Sequence, residues 1–153
     1  VMLRQKDEAS DRDQIANLKR MAADNGRESQ CWIHVYVVCR DTEKEARDAL
    51  DRYVVDYGDD VAVGNMLSMF GMESETLEPA VMEALKYHFK AGHGGYPLVG
   101  TPEQIVDQIE RLSAMGVDGL LVSWLDYLGE CQQWIDQVLP LMEQAGQRLP
   151  SAQ

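Results

Sequence analysis

The chain has 153 residues, of which 45% are hydrophobic and 26% are charged, which is typical of a globular protein of about one domain. Acidic residues outnumber basic ones by 26 to 14, so the formal net charge is −12. This charge argues against a nucleic-acid binder, whose surface is basic, and against docking on an anionic membrane. We therefore predict neither nucleic acid nor a membrane as a partner, and no apolar run approaches the roughly 20 residues of a membrane span.

The cysteines and the first residues of the chain favour a cytoplasmic location. Cys31, Cys39 and Cys131 are widely spaced and lack the CxxC pattern of metal sites, which favours a reducing cytoplasm and no metal. The first residues are charged early, so they do not form a signal peptide. Because the chain begins at Val1 and not at methionine, we expect a C-terminal portion of a larger protein.

The first 58 residues predict a helix, a strand and a second helix. Ser10 is expected to cap a helix that ends at Gly26, with a buried face of Ile15, Leu18, Met21 and Ala22. Cys31 to Cys39 is rich in aromatic and β-branched residues, which is typical of a strand. Thr42 and Glu45 form a capping box that opens the second helix, which ends at Gly58. Its buried stripe is expected to contain Ala46, Ala49, Leu50, Tyr53, Val54 and Tyr57.

Residues 59–97 have an irregular pattern and are interpreted as an insertion. Short helical pieces are predicted around Val61 to Phe70 and Pro79 to Lys90, and methionines cluster between them. The insertion closes with a glycine-rich loop from Gly92 to Pro97, since closely spaced glycines let the backbone bend sharply and approach a ligand.

The last third of the chain predicts a helix, a strand and a helix. Thr101 is the N-cap of a helix that continues to Gly116, with Ile105, Ile109 and Leu112 on its apolar face. Val117 to Trp124 is apolar at nearly every position, which predicts a strand buried on both faces. The final helix is expected from Leu128 to Ala145, with Trp134, Val138, Leu141 and Ala145 inward and a kink at Pro140.

This alternation predicts an α/β fold with parallel strands and right-handed crossovers. A strand remnant at Val1 to Leu3 would make three strands, which are too few to bury each other's apolar surfaces. A complete (β/α)8 barrel needs about 250 residues. We therefore interpret residues 1–148 as about three C-terminal βα units of a TIM-type barrel, with the insertion at 59–97 and a tail at 149–153.

The run GGYPLVGTPEQIVDQIERLSAMGVDGLLVSW resembles the C-terminal part of bacterial luciferase-like flavin monooxygenases, as do VYVVCRDTEKEA and VLPLMEQAG. The nearest branches act on alkanesulfonates, dimethyl sulfone and pyrimidine rings. The resemblance implies reduced FMN supplied by a separate reductase, and reaction with O2 through a C4a-peroxyflavin to oxygenate a small organic substrate. The protein then has to keep water out of the site.

The resemblance also assigns site residues, which a barrel places at the carboxyl ends of its strands. Along the first strand, alternation puts Trp32, His34, Tyr36 and Val38 on one face. Alkanesulfonate-type relatives have an arginine and a histidine where this chain has His34 and Tyr36. This chain therefore lacks the bidentate contact that an arginine makes with a sulfonate. His34 and Tyr36 remain candidates for catalytic donors, and Trp32 for a binding residue.

Two loops complete the expected site. The Gly92 to Pro97 loop resembles the mobile lid of the family, with His93 as a catalytic candidate and Gly94, Gly95 and Tyr96 as binding candidates. Ser123, Trp124 and Tyr127 follow the second long strand, where relatives place an aromatic side chain near flavin and substrate.

Two alternatives remain at this point. A deazaflavin (F420)-dependent oxidoreductase of the same superfamily would transfer hydride without O2. A non-catalytic half-barrel module would instead persist as a homo-oligomer without cofactor. The isolated chain is expected to be poorly stable as a monomer until it associates with copies of itself or with the remainder of the barrel. As a portion of a monooxygenase, it is also expected to be inactive on its own.

Overall fold

The structure, a computed structural model, describes residues 8–72 and 78–149. Within these residues helices surround a three-stranded parallel sheet. Two π-helical turns, Arg52–Asp56 and Trp134–Val138, continue the second and the sixth α-helix. The regular elements in chain order are α1 (Glu8–Asp24), β1 (Trp32–Cys39), α2 (Glu43–Asp51), α3 (Asp60–Met69), α4 (Pro79–Gly92), β2 (Tyr96–Gly100), α5 (Pro102–Ala114), β3 (Gly119–Ser123), α6 (Tyr127–Gln133) and α7 (Leu139–Gln144).

The sheet has the order β2-β1-β3, with β1 in the centre and every pairing parallel. β2 pairs with the carboxyl half of β1, from Val35 opposite Tyr96 to Cys39 opposite Gly100. β3 pairs with the amino half, from Trp32 opposite Gly119 to Tyr36 opposite Ser123. The predicted α/β class and parallel strands are confirmed.

β2 corrects the sequence prediction, which placed a loop from Gly92 to Pro97. Tyr96 and Pro97 lie in β2, and only the residues before them form a turn. A five-residue strand that contains proline and ends in glycine gives almost no alternation signal, so its pairing with β1 decides its structure. The strand remnant expected at residues 1–3 lies outside the described residues.

β1 and β3 correspond to the two long strands predicted from the sequence, and they are neighbours in the sheet, as consecutive barrel strands are. The crossover between them contains α2 to α5 and, unexpectedly, β2. The long insertion therefore contributes a strand to the opposite edge of β1.

One face of the sheet packs against α5 and the C-terminal helices. Ile33, Val35 and Val37 of β1 are buried there with Ile105, Ile109 and Leu112 of α5, as the periodicity of α5 predicts. Trp134 and Val138 are also buried in this cluster, with Leu141 and Ala145 partly buried against it. The helical break expected at Pro140 appears as the π-helical turn directly before α7.

The other face is covered only along its carboxyl half. Tyr36 and Val38 pack against Ala46, Leu50 and Val54. These three residues lie in α2 and the π-helical turn that continues it, together called the α2 segment. Near the amino half, Trp32 is 54% exposed and Leu121 is 65% exposed. The prediction that β3 is buried on both faces is therefore wrong, because β3 is an edge strand and no described element covers this side of it.

The helix caps agree with the sequence at two of three positions. Thr42 with Glu45 and Thr101 with Gln104 both form complete capping boxes. Ser10, however, lies inside α1, which is already helical at Glu8.

Three side chains of the predicted helical stripes are also more exposed than expected. Ile15 is buried, but Leu18 and Met21 of the same face are 36% and 64% exposed. Tyr57, the last residue of the predicted α2 stripe, is 73% exposed, because the π-helical turn shifts it off the buried face.

Within the described residues, no helix combines the length and the apolar character needed to cross a membrane. The same part of the chain contains no group of three or more potential metal ligands. Cys31, Cys39 and Cys131 are free thiols.

Candidate active site

A large cleft lies beyond the carboxyl end of β1, between the α2 segment and the α3–α4 pair. Parallel α/β proteins bind their ligands at this end of the sheet, where the loops that follow the strands converge. The volume of the cleft is about 1160 Å³. Its lining residues are Arg40, Asp41, Glu45, Asp48, Ala49, Arg52, Tyr53, Tyr57, Gly58, Asp59, Ala62, Val63, Met66, Phe89, Lys90, His93, Leu125 and Gln133.

The cleft has mixed charge at its rim and an apolar interior. Its cations are already engaged, since Arg40 pairs with Glu130 at 2.9 Å, Lys90 pairs with Asp60 at 2.8 Å, and Arg52 lies 5.7 Å from the ring centre of Tyr57. Four acidic residues also line the cleft: Asp41, Glu45, Asp48 and Asp59. This balance favours a ligand that is mostly uncharged over an isolated anion.

His34 and Ser123 meet on the sheet face that is open near its amino half. The His34 Nε2 atom lies 2.9 Å from the Ser123 hydroxyl, which also lies 3.2 Å from the backbone carbonyl of Val35. Adjacent parallel strands bring these side chains together, since Ser123 stands opposite Tyr36 in the register. The structure therefore joins two residues that the resemblance assigned separately, 89 positions apart.

Burial lowers the pKa of His34 below its usual value, and the nearby charge of His93 lowers it further. His34 is only half-buried, so solvent and ligands reach part of its ring. A neutral imidazole at physiological pH carries one hydrogen-bond donor and one acceptor, and it is able to bind a polar group of a ligand.

Tyr36 does not line an open cavity. It shares a sheet face with His34, as predicted, but it is only 3% exposed because the α2 segment and Ala91 of α4 cover it. Burial raises the pKa of its hydroxyl well above the usual value. Within the described residues, Tyr36 is a packing residue under the insertion, a role that alternation along β1 alone does not reveal.

The turn between α4 and β2 is built from His93, Gly94 and Gly95. His93 ends α4 with φ 51° and Gly94 continues with φ 74°, both in the left-handed region. The amide of Gly95 donates to the carbonyl of Gly92 at 2.9 Å, which closes the turn. His93 is exposed and lines the cleft.

Tyr96 and Trp124 lie on the opposite side of the sheet from His34. Both pack against the cluster that contains α5 and Trp134. The ring of Trp124 makes edge contacts with Tyr127 at 5.5 Å and with Trp134 at 5.9 Å between centroids. Trp32 faces the His34 side and is exposed, and Tyr127, the first residue of α6, is 57% exposed. The structure thus separates the predicted site residues into two groups.

Glu130 is a site residue that the sequence prediction missed. Its carboxylate accepts hydrogen bonds from the backbone amides of Leu125 and Asp126, each at 3.1 Å, and pairs with Arg40. It therefore ties the loop after β3 to the loop after β1. A glutamate four residues after Asp126, the helix N-cap, is the only signal in the sequence for this role.

Comparison with known proteins shows the family. The model of the luciferase-like monooxygenases matches residues 1–119. The chain belongs to the luciferase-like monooxygenase family. FMNH2-dependent dimethylsulfone monooxygenases of Pseudomonas fluorescens (strain Pf0-1) and Pseudomonas putida are each 29% identical to it over 91% of the chain. The family member described here spans only 39% of the length of these relatives.

Solved structures of this fold agree with the family. DmoA from Hyphomicrobium sulfonivorans superposes with a TM-score of 0.78 at 19% identity, over 97% of this chain and 38% of that one. A long-chain alkane monooxygenase, LadA, superposes with a TM-score of 0.71 at 18% identity, over 97% of this chain and 37% of that one. The expected relation to part of a TIM-type barrel is confirmed at the level of the fold.

The described residues of this luciferase-like chain fit a flavin ring but do not assemble a phosphate site. The cleft is large enough for a flat heteroaromatic ring, and Tyr53, Met66 and Phe89 give it apolar walls. A phosphate needs several cations or amides that are free to bind it, whereas Arg40 and Lys90 are each paired with a carboxylate and Arg52 lies over the ring of Tyr57. A complete cofactor site therefore requires residues beyond the described part of this chain.

Proposed function

We propose that residues 1–148 are the C-terminal portion of a flavin-dependent monooxygenase, with the insertion at 59–97 and a tail at 149–153. The complete enzyme uses reduced FMN from a separate reductase and inserts one oxygen atom of O2 into a small organic substrate. The other atom leaves as water, and bound reduced FMN supplies the two electrons. The partners are the reductase, O2, the substrate and the remainder of the barrel, with homo-oligomers as a second form of assembly.

The observation that carries this proposal is the cleft at the carboxyl end of the sheet, in a chain of a monooxygenase family. Relatives that match 91% of the chain are FMNH2-dependent dimethylsulfone monooxygenases. The mixed charge of the cleft supports a small substrate without an isolated anionic group, such as dimethyl sulfone.

The residues of this chain have two tasks in the proposed site. The α2 segment and α4 exclude water from the deep wall of the cleft, which protects oxygen chemistry from wasteful peroxide release. We assign to His34, Ser123 and His93 the polar atoms that orient a ligand, and of these three His93 lines the cleft. Trp32, Gly94, Gly95 and Tyr127 are proposed as further binding residues of the complete site. Tyr96 and Trp124 support the strands from behind. The three free thiols support a cytoplasmic location.

The test uses the protein purified in its natural form from the source cell. Reduced FMN is titrated under argon, and oxygenated product and hydrogen peroxide are then measured after O2 and dimethyl sulfone or a related small substrate are added. We expect reduced FMN to bind and product to exceed peroxide. His34→Ala should lower product formation at least tenfold, whereas His88→Ala, a change in α4 away from the cleft lining, should leave it near wild type.

Two results would contradict the proposal. Binding of F420 with hydride transfer and no consumption of O2 would identify the deazaflavin alternative. Failure of the natural form to bind any flavin, together with stable self-association, would identify a non-catalytic module.

A further inference from the structure

The Ser123 hydroxyl has one proton and two neighbours that compete for it. The backbone carbonyl of Val35, 3.2 Å away, is only able to accept a hydrogen bond. His34 Nε2, 2.9 Å away, either donates or accepts, depending on where the imidazole carries its proton. Both contacts are satisfied together in only one way, in which Ser123 donates to Val35 and His34 Nε2–H donates to Ser123.

This arrangement leaves the other ring nitrogen of a neutral His34 without a proton. That nitrogen, Nδ1, lies beside Gly95, where an added methyl group would come within 2.8 Å of it. Gly95 lies two residues after His93, which lines the cleft, so Nδ1 packs against the turn that borders the cleft. The missing side chain at Gly95 is therefore what lets the imidazole pack against this turn.

We propose that Ser123 is a positioning residue that fixes His34 as the Nε2–H tautomer and so presents Nδ1 as a hydrogen-bond acceptor beside the His93–Gly95 turn. An acceptor of this kind pairs with an O–H or N–H donor. The inference rests on the proposed function for its role in a reaction, but the tautomer is a property of the chain alone. Without Ser123 the imidazole has two comparable ways to place its proton, and the acceptor faces the turn only part of the time.

The tautomer is directly measurable, because the chain has only 3 histidines. The full chain is labelled with ¹⁵N, and long-range ¹H–¹⁵N correlation spectra are recorded at pH 8 without flavin. His88→Gln and His93→Gln variants assign the signals. We expect His34 to show a protonated Nε2 and an unprotonated Nδ1. In Ser123→Ala the ratio of Nε2–H to Nδ1–H should fall about fivefold, which corresponds to the loss of a hydrogen bond worth about 1 kcal/mol.

Matched variants separate positioning from folding. Ser123→Thr keeps the hydroxyl and should restore the wild-type ratio, and Ser113→Ala on the exposed side of α5 should not change it. Gly95→Ala should move the Nδ1 signal of His34, whereas Gly64→Ala, where an added methyl group meets nothing within 4 Å, should not. Thermal unfolding of each variant shows which of them are folded.

A wild-type His34 protonated on Nδ1 would overturn the proposal, whether or not the Ser123→Ala chain folds. An unchanged ratio in a folded Ser123→Ala chain would also overturn it. Neither result depends on FMN. A chain with the expected tautomer whose natural form binds no flavin would therefore contradict the proposed function and leave the positioning role of Ser123 intact.

Discussion

Single carboxylates hold the two ends of this sheet. At the carboxyl end, Glu130 receives two backbone amides and Arg40, and its side chain is only 12% exposed. At the amino end, Asp118 accepts from the backbone amide of Cys31 at 2.7 Å and pairs with Lys19. Charge-assisted bonds of this kind are stronger than neutral ones, so each residue fixes the loop beside it.

Replacement of Glu130 by glutamine should destabilise the chain by about 1–2 kcal/mol, because Arg40 loses its partner and two amides lose a charged acceptor. Urea unfolding followed by circular dichroism measures this change. Glu83→Gln is the control, since Glu83 pairs with Lys86 on the surface and its side chain is 73% exposed. Its expected cost is below about 0.5 kcal/mol. Equal costs for the two variants would show that Glu130 does not anchor the loop.

Asp118 should make the stability of the chain depend on pH in the acid range. The amide of Cys31 and then the ammonium of Lys19 lower its pKa in the folded state. Its contribution is therefore complete above the unfolded pKa of about 3.9 and is lost as the pH falls through the lower folded value. The side chain is 34% exposed, so we expect only about 1 kcal/mol.

The measurement compares unfolding free energies at pH 6 and pH 3 for the wild type and Asp118→Asn. The wild type should lose more stability than the variant over this interval. Asp24→Asn, at an exposed position near the end of α1, should follow the wild type. Parallel pH curves for all three proteins would exclude a role for Asp118.

At the scale of elements, α4 packs closely on the sheet at its joint with β2. Gly92 lies against the ring and Cβ of Tyr36, where an added methyl group would come within 2.5 Å. Tyr36 is itself held by the α2 segment. The glycine-rich run is thus required for close packing of α4 on the sheet. This packing argues against the predicted lid movement for Gly92, although exposed His93 and its neighbour Gly94 form the part of the turn that borders the cleft.

Gly92→Ala should therefore destabilise the chain by about 1–3 kcal/mol through overpacking of the core. Gly64→Ala should stabilise it by about 0.5–1 kcal/mol, because Gly64 lies inside α3 with open space around it. Both values come from urea unfolding. Opposite signs are the expected result, and a neutral Gly92→Ala would show that the joint has room to relax.

At the scale of the whole molecule, the amino half of one sheet face is covered by none of the described elements. Trp32 and Leu121 are both more than half exposed there, beside half-buried His34. Since large apolar side chains gain about 1.5–3 kcal/mol from full burial, this face favours association with further strands or further copies. The chain spans 39% of the length of its relatives, which agrees with an incomplete barrel.

The double variant Trp32→Gln and Leu121→Gln should lower the fluorescence of the apolar dye ANS and the average mass measured by light scattering. Its unfolding midpoint should change by no more than about 2 °C, because both residues are already exposed. A matched change on α3, Val61→Gln with Met69→Gln, removes two exposed apolar residues elsewhere and should leave the mass unchanged. A wild-type chain that is monomeric and unfolds cooperatively without binding the dye would contradict the expectation.

The sequence by itself determined the elements whose signals are local. The capping boxes at Thr42 and Thr101, the apolar stripe of α5 and the β-branched run of β1 depend on spacings of a few residues, and all are confirmed. The family was also readable from the sequence, because the motifs from Gly94 to Trp124 occur together in one order.

Only the tertiary structure decided which side chains share a space. β2 has no local signal and forms because β1 offers a free edge. Tyr36 and His34 alternate equally well along β1, yet α4 and the α2 segment bury the first and leave the second half-open. The contact between His34 and Ser123 joins residues 89 positions apart through strand register. Such contacts depend on how elements pack over long separations, and the periodicity of one segment contains no information about its neighbour in space.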